Sequence, residues 1–268
     1  MKIRYKNISY ITAVTICIFI QLLLPVTGMS KDLGFYPGEK MTFEVKWSFI
    51  KAAEVTLEVL PNENIDEKPA LHFLYTAKTS KFVDAFYKVR DRIESFTDIE
   101  LTHSLLYIKR HEHKSIKENT VKFDWEKKEA QYIENTIVTN SIQISENIYD
   151  PLSVFYAFRI GQPDANNEII TYVSDGKKII KGTGKILKKQ KIKVAGNSYN
   201  TLLVQPEMEG VRGVFEKTKD SKLRIWVTDD KNRIPVKIKS KVTVGSFVAK
   251  LVSYTPGRND CVTAEQEK

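Results

Sequence analysis

The sequence predicts a mainly β protein of curved antiparallel sheets, half-barrel or sandwich-like, with one short helix packed against them. Three observations carry this. Short runs of apolar–polar alternation recur from residue 41 to residue 254, each bounded by turn chemistry. A single segment has strong helix boundaries at both ends. No linker, low-complexity run or internal repeat divides the chain, so 31–254 reads as one β-rich domain.

What precedes that domain reads as a secretory signal peptide over 1–30. MKIRYKNISY is a basic n-region, ITAVTICIFIQLLLPV an apolar h-region, and VTGMS supplies small residues. Cleavage would follow Gly28 or Ser30. Retention as an anchor is the alternative, since the apolar run is near the short limit of a membrane span. Ile16 before Cys17 is not the small residue that precedes a lipidated cysteine. The expected location is the periplasm, with no integral membrane segment left after cleavage.

The elements then follow in order. LGFYPGE (33–39) is an extended lead-in ending in a Pro-Gly turn. Phe43, Val45 and Trp47 share one side of a strand over 41–47, and Ala53, Val55, Leu57 and Val59 form its returning partner. PNENIDEKP reads as a polar loop, and 71–79 as a third strand. Phe82 and Phe86, four apart, suit one short helical turn. Strands follow over 89–96, 105–113 and 120–125, with a turn at 126–129, and then over 130–139 and 141–145.

Asp150-Pro151 opens the helix. Asp is a good N-cap, and Pro fits the first helical position, where its missing N–H would have no partner. Leu152, Phe155, Tyr156 and Phe158 give the helix a broad apolar surface, and Gly161 ends it. Strands are predicted over 168–173, 177–187, 190–194 and 201–205. The stretch 221–254 closes the fold as three strands with turns at 229–232 and 245–246. Val236, Ile238, Val242 and Val244 are expected on its inner face, with Lys237, Lys239 and Lys241 on an outer or edge face. Trp226 breaks the alternation. Residues 255–268 are expected to form a flexible tail.

Composition narrows the function. The chain is 42% hydrophobic and 28% charged with a formal charge of +9, an ordinary globular balance whose basic excess does not point to nucleic acid. After cleavage Cys261 is the one remaining cysteine, so no internal disulfide is expected, and no His or basic cluster lies near it to activate a thiol. His111 and His113 would face the same way on a strand, but RHEHK lacks a third ligand at metal spacing, and no metal or cofactor is assigned. GTGK (182–185) lacks the Walker spacing and reads as a turn or bulge. The lysines over 177–193 read as a solvated sheet face, with contact to anionic headgroups or an acidic partner as the alternative. GxSxG, HExxH and CxxC are all missing. Arg90, Asp91, Arg92 and Glu94 suit an ion-pair ladder, with catalytic carboxylates as the rival.

These segments together resemble the DUF3108 family of exported bacterial proteins of unknown function. The resemblance rests on FYPGEKMTFEVKW (35–47), the TS…FYKVRDRIESF run (79–96), YDPLSVFYAFR (149–159), and IWVTDDKNRIPVKI followed by GSF (225–247). This chain has Ala52-Ala53 where the family often has Ala-Gly. The closing W…D…PVK…G pattern is also similar to lipoprotein-carrier half-barrels, which implies a concave sheet with a helix against it. Neither resemblance brings catalytic residues.

The expected function is therefore that of a non-enzymatic envelope protein. It would hold an apolar or amphipathic ligand, or a partner such as a lipid, a glycan or an envelope protein, on a concave β-surface. The candidate ligand-binding residues are Trp47, Phe86, Tyr87 and Trp226. Two alternatives stand beside it: an enzyme acting on envelope glycan or lipid through Asp91 and Glu94, and a structural subunit of an envelope assembly.

Overall fold

A computed structural model describes residues 32–208, 223–241 and 246–258. The signal-peptide reading, Cys261, and the expectations for Val242, Val244 and Gly245 fall outside these residues. The first half of the chain is a meander of β1 (Lys40–Trp47), β2 (Ile50–Ile65), β3 (Lys68–Thr79), β4 (Arg90–Asp98), β5 (Ser104–Glu112), β6 (Ile116–Asp124), β7 (Glu129–Glu134) and β8 (Ile137–Gln143). Helix α1 (Lys81–Asp84) lies between β3 and β4. The two-residue strand β9 (Ile148–Tyr149) leads into helix α2 (Ser153–Ile160). The second half holds β10 (Glu168–Ser174), β11 (Ile179–Val194), β12 (Asn197–Met208), β13 (Leu223–Thr228), β14 (Pro235–Lys241) and β15 (Ser246–Thr255).

Among the described residues, all fifteen strands join one sheet, in the order β8-β7-β6-β5-β4-β3-β2-β1-β15-β14-β13-β12-β11-β10-β9. Pairing is antiparallel throughout, except that β9 and β10 run parallel. The first and last long strands, β1 and β15, pair in the middle and so weld the two meanders together. Bulges interrupt the register between β1 and β2, β2 and β3, β4 and β5, and β11 and β12. Each adds local twist and bend, which a sheet of this width needs in order to curl. The sheet stays unclosed. The β10–β11 turn reaches the opposite wing, where Asn140 Nδ2 donates to the Gly176 carbonyl at 2.9 Å.

Helix α2 sits inside the curl. Tyr156 is fully buried and stacks on Phe73 at 4.0 Å, with Phe35 of the lead-in edge-on to both. Register places Met41, Phe43, Leu57, Val59, Phe73, Tyr107 and Val121 on the same concave face, and all are buried. Two polar anchors hold the helix. At its start, Asp150 Oδ1 accepts from the backbone N–H groups of Leu152 and Ser153, and Oδ2 accepts from Ser95 and Ser104, all inside the core. At its end, Arg159 makes a two-pronged pair with Glu39, Nη1 to Oε1 at 2.5 Å and Nη2 to Oε2 at 3.0 Å. Their side chains are only 3% and 1% exposed. The Arg159 guanidinium also lies 5.1 Å from the Phe35 ring centroid.

Several local expectations change. The polar run PNENIDEKP is no loop: β2 and β3 continue through it to a two-residue turn at Asp66-Glu67, both at positive φ. The break predicted at residue 140 falls instead at Asn135-Thr136, for the same reason. The strands predicted over 177–187 and 190–194 are one, β11, with a register shift between Ile186 and Lys188. GTGK is therefore neither a turn nor a bulge but mid-strand. A Cβ on Gly184 would meet Phe158 at 2.6 Å, so the glycine admits the helix rather than bending the chain. The helix begins three residues later than Asp150, with Leu152 at its N-cap position, and the Asp150 carboxylate accepts from the Leu152 and Ser153 N–H groups at its start. β14 lies between β13 and β15, so its lysine row is not an edge. Beyond β15, Arg258 N–H donates to the Pro37 carbonyl at 3.1 Å, and 259–268 lie outside the described residues.

Removing one member of the Glu39–Arg159 pair leaves the other charged inside the core. Arg159→Met should lower stability by about 3–5 kcal/mol, and the double variant Glu39→Leu/Arg159→Met should recover most of that. Urea unfolding of the three proteins, read at their midpoints, checks both outcomes.

Candidate functional site

Helix α2 covers only part of the concave face. Along β1, Met41 and Phe43 are fully buried, Val45 is half-buried and Trp47 is 41% exposed. Along β2, Val59 and Leu57 are buried, while Val55 and Ala53 are not. The same fade runs from Phe73 through Tyr75 to Ala77 on β3, from Ser95 through Ile93 to Asp91 on β4, and from Tyr107 through Lys109 to His111 on β5. Side chains two apart on a strand share a face, so five neighbouring strands present one continuous wall. It is covered by the helix at one end and open at the other.

The open wall is apolar over β1 to β3 and becomes polar on β4 and β5, where it carries Asp91, Lys109 and His111. Val45, Val55, Tyr75, Ala77, Ile93 and Ala249 supply the apolar surface. Asp91 and His111, opposite each other on β4 and β5, are hydrogen-bonded through His111 Nδ1. Burial, with the neighbouring Asp91 carboxylate adding to it, pushes the Tyr75 hydroxyl up to about 12, so this phenol stays neutral.

The wall ends in an aromatic rim. Phe49 stands in the β1–β2 turn, 86% exposed, and Phe86, just after α1, is 81% exposed. Phe82 is edge-on to Phe86 at 5.8 Å, and Tyr87 lies against His113 at 4.0 Å. α1 is fixed by its own ends. Ser80 Oγ accepts from Val83 N–H and donates to the Lys51 carbonyl, while Asp84 forms a two-pronged pair with Arg90.

A second opening lies between α2 and the far wing of the sheet. This cavity, about 70 Å³, is lined by Phe155 and Phe158 from the helix and by Ile186, Leu202, Val204 and Ile225 from β11, β12 and β13. Arg233 stands at its edge. The Arg233 guanidinium donates to the backbone carbonyls of Phe158 and Gly161 and has no acidic partner among the described residues. Burial lowers its pKa.

The predicted site residues divide. Trp47, Phe86 and Tyr87 lie at the same open end of the sheet. Trp226 does not join them: it is buried on the opposite face of β13 from Ile225 and Val227, with the Lys237 ammonium 4.7 Å from its ring centroid. The carboxylates of the enzymatic alternative also separate. Asp91 faces the concave wall, whereas Glu94, three residues on, faces the convex side, where it pairs with Arg92 at 3.0 Å and with His72 at 3.0 Å. They line no common pocket. The wall residues Val55, Tyr75 and Ile93, and Arg233, were missed; the strand readings over these segments do not show which positions the helix leaves open. Among the described residues no cluster of three His, Cys, Asp or Glu could hold a metal ion, and no helix is long and apolar enough to cross a membrane.

The sequence model for proteins of unknown function DUF3108 matches residues 42–252. The chain belongs to the DUF3108 family. Among curated proteins no sequence match is found. Among solved structures, this DUF3108 chain is similar to a β-barrel-like protein of the DUF1849 domain from Brucella abortus. The TM-score is 0.50 at 9% identity, over 82% of this chain and 98% of that one. That likeness is one of fold. A protein described as exported, with a YmcC-like fold, from Bacteroides fragilis aligns at TM-score 0.33 and 8% identity, over 82% and 98% of the two chains. A protein described as a lipoprotein from Parabacteroides distasonis aligns at 0.34 and 7%, over 83% and 98%.

The α1 anchor makes the rim acid-sensitive. Hydrogen bonds from Arg90, then from Thr79, hold the Asp84 carboxyl at about 2, below its usual 3.8. A carboxylate depressed in the folded state stabilises it fully above the unfolded pKa and loses that contribution as pH falls through the folded pKa. NMR shifts of residues 81–87 should therefore hold steady above about pH 4 and move together as pH falls toward about 2. In Asp84→Asn this titration should vanish.

Proposed function

We propose that this protein is an exported envelope protein that holds an apolar or amphipathic molecule on the concave face of its sheet. The observation that carries the proposal is the fade in burial along β1 to β5. A concave core face that is mostly apolar, carries a few polar groups and is only partly covered toward one end is what a ligand-holding surface requires. The Asp91–His111 pair and the neutral Tyr75 hydroxyl offer such groups within that wall. The smaller cavity under α2 has room for a short apolar group, with the Arg233 guanidinium beside it for an acidic head. Export rests on the n-region, h-region and small-residue pattern of 1–30 and on the single cysteine that would remain after cleavage.

Native mass spectrometry of the protein purified from its producing cells tests this. The wild type should carry a co-purifying lipid or lipid-like adduct. Ile93→Lys, which sets a charge in the middle of the open wall, should lose the adduct, with a cooperative urea transition confirming that the variant is folded. A wild-type protein without adduct that also fails to take up added fatty acid or phospholipid would refute the proposal.

A further inference from the structure

We infer that the open end of the sheet docks on an anionic lipid surface. The inference stands on the distribution of exposed side chains, independently of whether the concave wall holds a ligand. Fourteen large hydrophobic residues are exposed among the described residues, and nine of them lie at this one end. Such concentration is unlike the single scattered apolar residues that any surface carries.

Their placement says what kind of partner fits. They sit on several different turns and connections. Phe49 stands in the β1–β2 turn, Phe82, Phe86 and Tyr87 on the β3–β4 connection, Ile116 at the start of β6, and Ile137 beside the β7–β8 turn. These are separate turn tips along one rim. Each can reach its own depth in a soft headgroup layer, where aromatic rings at an interface are at home. A rigid protein partner would need a matching pit for every tip.

The charge between the tips has the matching sign. Lys81 precedes Phe82, while Lys114 and Lys117 flank Ile116; none of these three has an acidic partner among the described residues. Acids on the strands and connections around these three lysines are engaged: Glu44 by Lys46 and Lys51, Glu54 by Lys78, Asp84 by Arg90, Asp91 by His111, Glu112 by Lys88, and Glu118 by Arg110. The rim therefore offers unneutralised ammonium groups beside protruding rings, the combination that binds anionic leaflets through insertion and charge together.

Vesicle sedimentation with the full chain decides the matter, using phosphatidylcholine vesicles with and without phosphatidylglycerol. Three variants are compared with the wild type: Phe49→Ser/Phe86→Ser; Lys81→Glu/Lys114→Glu/Lys117→Glu; and Lys188→Glu/Lys191→Glu on β11 as an electrostatic control. The N-terminal 30 residues are the same in all four, so a difference between the variants reports on the substituted side chains. The wild type should sediment with the anionic vesicles in preference to the neutral ones. Each rim variant should bind those vesicles about tenfold or more weakly, whereas the control should stay near the wild type. All the altered side chains are exposed, and matching thermal melts confirm that the fold is kept. Equal binding to neutral and anionic vesicles, no binding of the wild type, or rim variants that bind like the wild type or like the control would each overturn the inference.

Discussion

A guanidinium and a carboxylate, both almost out of reach of water, hold the helix inside the curl of the sheet. Burying Arg159 and Glu39 costs several kcal/mol per charge unless each finds its partner in good geometry. The fork-on-fork arrangement meets that demand, and the backbone carbonyl of Asn232 takes a further guanidinium N–H at 2.9 Å. The pair joins α2 to the residue just before β1 and, through Asn232, to the β13–β14 turn. At the other end of the helix Asp150 does the equivalent for β4 and β5 through Ser95 and Ser104. Between two such anchors the helix has little freedom to slide along the concave face.

That constraint decides which part of the sheet is core and which part is surface. Strands β1 to β5 keep their apolar alternation toward the open end, yet the helix is not there to cover it. Tyr75 and Ile93 have the same one-faced pattern as Phe73 and Tyr107 one step deeper. The difference in burial comes from the position of α2 and not from any local property of the strands. The long β2–β3 hairpin shows the converse. Its far end projects beyond the main core, so its residues can be polar and still pair as strand, and a small second cluster of Ala70, Phe96 and Leu105 forms nearby.

Much of this was legible in the sequence because it is local. Alternation in 41–47, 53–59 and 223–228, and the Asp-Pro start and Gly stop around α2, each report on neighbouring residues. The readings that failed depended on distant ones. The polar run after Pro61 resembles a loop because nothing in it needs burial. GTGK is unreadable without knowing that Phe158 packs against Gly184. Gly257 behaves similarly: a Cβ there would strike the Tyr36 carbonyl at 2.0 Å, a contact between residues far apart in the sequence. Trp226 broke its strand's pattern and so looked available for binding, but the second face of β13 is also packed, against Leu203 and beneath Lys237. The candidate site was the least legible part. Its extent follows from a contact between residues 39 and 159, and no window along the chain contains both.

Cysteine accessibility along a single strand tests the half-covered concave face most directly. In a background lacking Cys17 and Cys261, single cysteines at Val59, Leu57, Val55 and Ala53 sample the concave side of β2 from the helix outward, and labelling of the native protein by a small maleimide reports their exposure. Val59 and Leu57 should stay protected, while Val55 and Ala53 label progressively faster, and adding Arg159→Met should raise labelling at Leu57 and Val59. Uniform protection of all four positions, or equal labelling of all four in the unaltered Arg159 background, would contradict an open wall whose limit is set by the buried ion pair.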